Sequence, residues 1–251
     1  MPTTGTRRPA TLRVFRYVAV SDDLRPIMGD EVLPLPEVEL IRRARQAMDA
    51  RAFLVHTASA ADADELCFVP YDGRCEILSI HSNGWPQRGD HRRSLVQILN
   101  DLAAAVACGH LRLLDDAELE AELAPHTPDR AGTIAHTADL ATARTLIADM
   151  LVTIDFDQAR RDQTVLCASE AATNALVHGG GRGKVAVLRL ADRVRIVVAD
   201  RGPGLNFLNW LQPGAGQASM GYGYKIILDN IDGVCLHTGR SGTTLILDQR
   251  T

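Results

Sequence analysis

Two runs rich in β-branched residues, Lys184–Leu190 and Arg193–Ala199, meet across the two-residue turn Ala191-Asp192. Nothing long enough for a crossover helix separates them, so they must lie side by side and antiparallel. Val234–Thr238 and Thr243–Asp248 repeat the arrangement across Gly239–Gly242. Helical periodicity fills the rest of this half, in Ala138–Leu151, Gln158–Val177 and Tyr222–Ile231. Strands that follow one another directly, with helices gathered into separate runs, predict an α+β domain.

The first half is built differently. Thr11–Val20 alternates apolar and polar residues as a half-buried strand does, and a Pro- and Asp-rich loop follows. Pro36 opens a helix over Glu37–Ala50. Ala52–His56 reads as a short strand, and Leu66–Pro70 with Glu76–His81 as a hairpin around Gly73. His91–Cys108 has helical spacing, with Gly109 as its cap, and Ala117–Leu123 is a short acidic helix or linker. The turn-rich stretch Pro125-His126-Thr127-Pro128-Asp129 then marks the expected boundary. This predicts a small α+β sensor, docking or dimerisation domain over 1–125 and a second domain over 131–251. Reactive side chains in the first half, His56, His81, Asp90 and His91, lack metal-ligand spacing. Arg42, Arg43 and Arg45 suit a solvated helix face or a partner contact.

Composition excludes several classes. A chain of 251 residues can bury roughly 70–75% of its unfolded surface without staples. The formal net charge is −4 and aromatics make up 4%, which argues against a general nucleic-acid binder with base-stacking platforms. No window reaches the ~18 apolar residues of a membrane span, and the first ten residues lack an apolar signal core. The five cysteines form no CxxC pair, so free thiols in a reducing cytoplasm are expected.

Three segments of the second half carry chemistry. Glu170-Ala-Ala-Thr-Asn174 puts a carboxylate and an amide on one helix face. The first can accept a proton and the second can ligate a hard cation, although such a pair is equally at home on a solvated face. Asp200-Arg-Gly202-Pro-Gly204 ends an apolar strand in a carboxylate able to accept from an exocyclic amine. Its glycines permit close backbone approach or positive φ, as an ordinary turn also would. Ser219-Met-Gly221-Tyr-Gly223-Tyr-Lys225 opens a helix with glycine-rich backbone suited to phosphate, and is neither a Walker A loop nor a Rossmann fingerprint.

In this order and spacing, followed by Gly242-Thr243-Thr244, the segments resemble the N, G1 and G2 boxes of the GHKL ATP-binding superfamily. Within it, Glu170-Ala-Ala-Thr-Asn174-Ala-Leu-Val-His178-Gly179 is most similar to the N box of bacterial anti-sigma-factor serine/threonine kinases, and Leu205–Ser219 fits a compact ATP lid. The resemblance covers about residues 131–251. It implies a Bergerat-type sandwich whose mixed sheet is covered by helices on one face, with ATP and Mg²⁺ as cofactors. It implies Glu170 as general base, Asn174 as Mg²⁺ ligand and Asp200 as acceptor of the adenine amine. Gly202 and Gly204 would lie beneath the nucleotide, Gly221 and Gly223 would be lid glycines, and Thr243 would support the adenine contact. Lys225, Arg182 and Arg201 are candidate phosphate partners, and His178 matches a structural histidine of the family. The expected function is a cytoplasmic regulatory kinase acting on a Ser or Thr of a protein antagonist, with sequestration of a sigma factor as a further role. Homodimerisation stays open, with no direct contact to nucleic acid or membrane. A non-catalytic ATP-binding interaction switch is the alternative, ahead of an atypical histidine kinase.

Overall fold

The computed structural model describes residues 14–20, 23–26, 35–57, 65–71, 74–80, 100–154, 156–204, 222–239 and 241–251. The chain divides into two compact units, Met1–Ala103 and Ala104–Thr251.

Among the described residues, the first unit is an antiparallel five-stranded sheet with a helix against it. Its strands are β1 (Val14–Val20), β2 (Asp23–Pro26), β3 (Leu54–Thr57), β4 (Glu65–Tyr71) and β5 (Arg74–Ile80), in the order β2-β1-β5-β4-β3. Helix α1 (Glu37–Asp49) buries Leu40, Ala44 and Ala47 against Leu66, Phe68, Cys75 and Ile77. The loop expected after Val20 contains β2, which pairs with β1 through Val20↔Asp23 to Tyr17↔Pro26. Pro26 cannot donate to a ladder, so it sits at the end of an edge strand. Arg42 and Arg43 of the expected arginine face both hydrogen-bond Glu39, holding its carboxyl down at about 2. His81, Asp90 and His91 lie outside the described residues, as does the Asp72-Gly73 turn.

Residues 100–107 are helical (α2), the described end of the expected His91–Cys108 helix. Gly109 follows with φ 75° and donates its N–H to Val106 O, as a helix-terminating glycine should.

The second unit is a mixed six-stranded sheet. Its elements are β6 (Leu111–Leu113), α3 (Asp116–Leu123), β7 (Arg130–Ile134), α4 (Thr137–Val152), α5 (Gln158–Val177), β8 (Gly183–Arg189), β9 (Arg193–Asp200), α6 (Tyr222–Asn230), β10 (Gly233–Gly239) and β11 (Gly242–Arg250). The strand order is β6-β10-β11-β9-β8-β7. Both expected hairpins are present, and β6 joins β10 in parallel through Val234↔Leu111 to Leu236↔Leu113. Carboxylates start α3, α4 and α5, where backbone N–H groups lack partners within the helix. Asp157 accepts from Arg160 N at 2.8 Å, Asp139 accepts from Ala135 N and His136 N, and Asp115 and Glu118 bond each other's backbone.

Side-chain alternation separates the two faces of this sheet. Gly183, Val185 and Val187, with Ile196 and Val198 opposite, share one face. A Cβ built on Gly183 would lie 3.0 Å from Ala175 Cβ, so this is the face that α5 covers. On the other face, Leu119 and Leu123 of α3 pack against Leu114, Leu188, Val197, Cys235 and Ile246. Helices thus cover one face, as expected, and α3 adds a short lid to the opposite one.

Arg195 fixes that lid. It is 3% exposed, and its guanidinium bonds both oxygens of Asp248 at 2.8 and 2.7 Å, Glu122 O at 3.0 Å and Glu122 Oε2 at 2.9 Å. Arg112 reaches the same Glu122 at 2.8 Å. The Pro125–Asp129 break therefore lies inside this unit, and the compact body starts at Ala104 rather than near 131. The reason is tertiary: β6 acquires its strand partner only from β10, far along the chain. Among the described residues, no helix is long and apolar enough to cross a membrane.

Arg195→Ala strips Asp248 and Glu122 of their buried cation and leaves them only the more exposed Arg193 and Arg112, and should cost the second unit about 2–4 kcal/mol. Urea unfolding monitored by circular dichroism measures this; a loss below ~0.5 kcal/mol would contradict the anchoring role.

Candidate functional site

The site begins on α5, whose inner stripe is Thr164, Cys167, Ala168, Ala171, Ala172 and Ala175, all buried. Such small side chains let the helix axis lie close to the sheet. Half-buried Glu170 and Asn174 come next around the helix. They face α6, because the Cys167 thiol donates to Ile226 O at 3.5 Å. Burial, and then the charge of Glu170, pushes this thiol up to about 11. A Cβ built on Gly223, in the first turn of α6, would sit 3.0 Å from Glu170 Oε2 and 3.5 Å from Asn174 Nδ2. Glu170, Asn174 and Gly223 therefore converge, with the missing side chain of Gly223 leaving room beside the carboxylate.

Asp200 closes β9. It pairs with Gly183, so its side chain is on the α5-covered face. Its Oδ1 accepts the N–H of Gly202 at 2.8 Å and that of Thr243 at 3.1 Å. Burial raises the pKa of this half-buried carboxyl, and the two N–H bonds oppose the rise. Thr243 thus reaches Asp200 through its backbone. Nearby, Tyr224 of α6 shares a helix stripe with buried Ile227 and Ile231. Burial pushes its phenol up, and the negative charge of Asp200 adds to the shift. Tyr224 was legible only as one more apolar-face residue at i, i+3, i+7 spacing.

The two glycines after Asp200 serve different ends. A Cβ on Gly202 would fall 2.6 Å from Gly179 Cα and 2.7 Å from Gly179 C, so this glycine permits close backbone approach. Gly204 has φ 77°, so here glycine supplies left-handed backbone.

The other candidates stand as follows. Gly221 and the Leu205–Ser219 stretch lie outside the described residues. Lys225 Nζ is 3.1 Å from Asp229 Oδ2, one turn along α6. Arg182 and Arg201 are exposed, and His178 caps the C-terminus of α5 with its N–H on Asn174 O at 2.8 Å. Among the described residues, no three His, Cys, Asp or Glu side chains form a metal-binding group.

This donor set suits a cation held mainly by phosphate oxygens and water, with one protein amide oxygen, as Mg²⁺ is in nucleotide sites. The cradle lacking side chains at Gly223 and the half-buried acceptor at Asp200 fit the two ends of a nucleotide. The positive end of the α6 dipole favours the anionic end.

The family of histidine kinase-like ATPase domains matches residues 134–248. No curated protein matches the chain. Among solved structures, the chain is similar to the RsbU and RsbW domains of a Mycobacterium tuberculosis protein, with a TM-score of 0.37 and 14% sequence identity. That likeness covers 94% of this chain and 64% of the other, so this chain spans just under two thirds of it.

None of the five cysteines is in a disulfide, and of the five only Cys108 is exposed. An aromatic disulfide reagent at neutral pH should therefore modify one thiol quickly in the native protein and five after denaturation. Rapid native modification of Cys167 would show that α5 and α6 do not pack as described.

Proposed function

We propose, from the match of residues 134–248 to the family of histidine kinase-like ATPase domains, that the protein is a GHKL-type, ATP- and Mg²⁺-dependent regulatory serine/threonine kinase of the anti-sigma-factor type. The observation that carries this reading is the approach of Gly223 to Glu170 and Asn174, which puts a half-exposed carboxylate beside an amide and a glycine-lined helix start. Its substrate is a Ser or Thr on a protein antagonist, and its other partner a sigma factor; both rest on the similarity of the N box to that family. Cytoplasmic location follows from the same reading.

Bound Mg–ATP supplies the phosphoryl group and neutralises its charge; the protein's part is positioning and proton transfer. Asn174 offers its amide oxygen to the cation. The N-terminal turn of α6 faces the phosphates with the positive end of its dipole. Asp200, with Oδ1 already held by Gly202 and Thr243, offers its remaining lone pairs to the adenine amine. Glu170 accepts the proton of the acceptor hydroxyl as that oxygen bonds the transferred phosphorus and ADP leaves. Asp200 requires little motion, because two backbone N–H groups already hold its Oδ1.

Glu170→Ala should abolish phosphoryl transfer to a co-captured partner while ATP binding persists. Radiolabelled ATP measures transfer and calorimetry measures binding. Equal transfer by variant and parent would overturn the general-base role, and ATP binding without any transfer by the parent would favour a non-catalytic switch. Acid-stable phosphate on the product supports a Ser/Thr acceptor, and acid-labile phosphate would indicate histidine.

Asp200→Asn should weaken nucleotide binding by at least ~1 kcal/mol, since a charge-assisted hydrogen bond is lost. The acceptor must be ionised, and burial raises its pKa. Affinity is thus full above that pKa and falls as pH drops through it, starting at a higher pH than an exposed aspartate would give. Asp200→Asn should remove this limb of the affinity–pH profile, and a profile identical to the parent's would exclude Asp200 as the acceptor.

A further inference from the structure

Three backbone segments meet around Asp200. Helix α5 ends at Val177, and Gly179 donates its N–H back to Ala175 O at 3.1 Å. A Cβ on Gly179 would collide with Asp200 Cβ and Cγ and with Ala175 O. From the other side, a Cβ on Gly242 would collide with Asp200 O and lie 2.8 Å from Asp200 C. Gly202 closes the third side, with its Cβ position 2.6 Å from Gly179 Cα. Asp200 is thus held between bare backbones, and Gly179 is the one of the three that follows directly on the helix carrying Glu170 and Asn174.

We propose that Gly179 is a positioning residue for base recognition. Its bare Cα sets α5 against the Asp200 carboxylate, and so fixes how far the adenine acceptor lies from the Glu170/Asn174 couple. The inference rests on the nucleotide-binding reading above. A side chain at 179 must push Asp200 aside or lift the end of α5, because the atoms it meets are backbone and the root of a side chain rather than a flexible tip. Either movement spoils the hydrogen bond to an exocyclic amine more than it spoils phosphate binding, which is made one to two turns earlier on α5 and on α6. Gly181 provides the control within the same turn. It has φ 77° and nothing within 4 Å of a Cβ, so Ala there carries backbone strain without the collision.

The test compares ADP with IDP, which differ at the base position that carries the amine. Calorimetry on the full chain should give the parent an ADP preference of about tenfold or more, the size expected of a charge-assisted hydrogen bond. Gly179→Ala should bring that ratio to within about twofold while retaining IDP affinity close to the parent's. Gly181→Ala should keep the parent ratio even if it unfolds at a lower temperature. A Gly179→Ala variant that still prefers ADP as the parent does would overturn the proposal and leave the nucleotide reading intact. A parent that binds neither nucleotide, or both equally, would overturn both. Should Gly179→Ala not fold, the unsubstituted protein decides: the Gly179 amide resonance should move further with saturating ADP than with IDP, and equal movement would overturn the proposal.

Discussion

A carboxylate withdrawn from water at the end of a strand is the constraint on which the candidate site depends. Burial alone disfavours the charged form of Asp200. The charge is tolerable because two backbone N–H groups, from Gly202 and Thr243, point at one of its oxygens. Those donors can arrive only if three loops come within backbone contact, which demands glycine at 179, 202 and 242. The end of α5, the turn after β9 and the start of β11 are thereby tied to one side chain. Because α5 also carries Glu170 and Asn174, the same contact sets the distance between the two ends of the site.

The opposite face of the sheet answers a different need. Arg195 is as buried as the apolar core, yet it satisfies two carboxylates and a carbonyl. A buried ion pair of this kind is weak evidence for net stability but strong evidence for a defined arrangement, since removing one partner strands the others. Here it ties α3 to β9 and β11. The segment between α2 and β7, which contains both a strand and a helix, thereby belongs to the second unit. One face of the sheet packs against α5, with Asp200 at its end, and the other holds a short acidic helix in place.

Much of this was legible in the residues. The two hairpins, the helix over Gln158–Val177 and the glycine-rich start of α6 follow from local spacing, because antiparallel neighbours joined by short turns need no distant information. That Glu170 and Asn174 share one face of α5 was legible from their spacing; that Gly223 meets them there is a fact of the tertiary structure. What escaped were features whose meaning depends on a remote partner. Three-residue β6 has no periodicity to detect and is a strand only because β10 accepts it in parallel. Strands β2 and β7 are short edge strands in turn-rich sequence. The Pro125–Asp129 break has every local sign of a linker, yet the ion pairs of Glu122 carry the unit past it.

Taken alone, the amino-acid order determined the alternation of elements in the second half and the shared helix face of Glu170 and Asn174. Each depends on interactions within a few residues, where spacing maps directly onto one face of a helix or strand. Tertiary structure alone decided where the compact unit begins, that Gly202 serves close approach while Gly204 serves left-handed backbone, and that Gly179 abuts Asp200. A glycine reads the same in sequence whichever demand it meets; only the atoms that would strike its missing Cβ distinguish them.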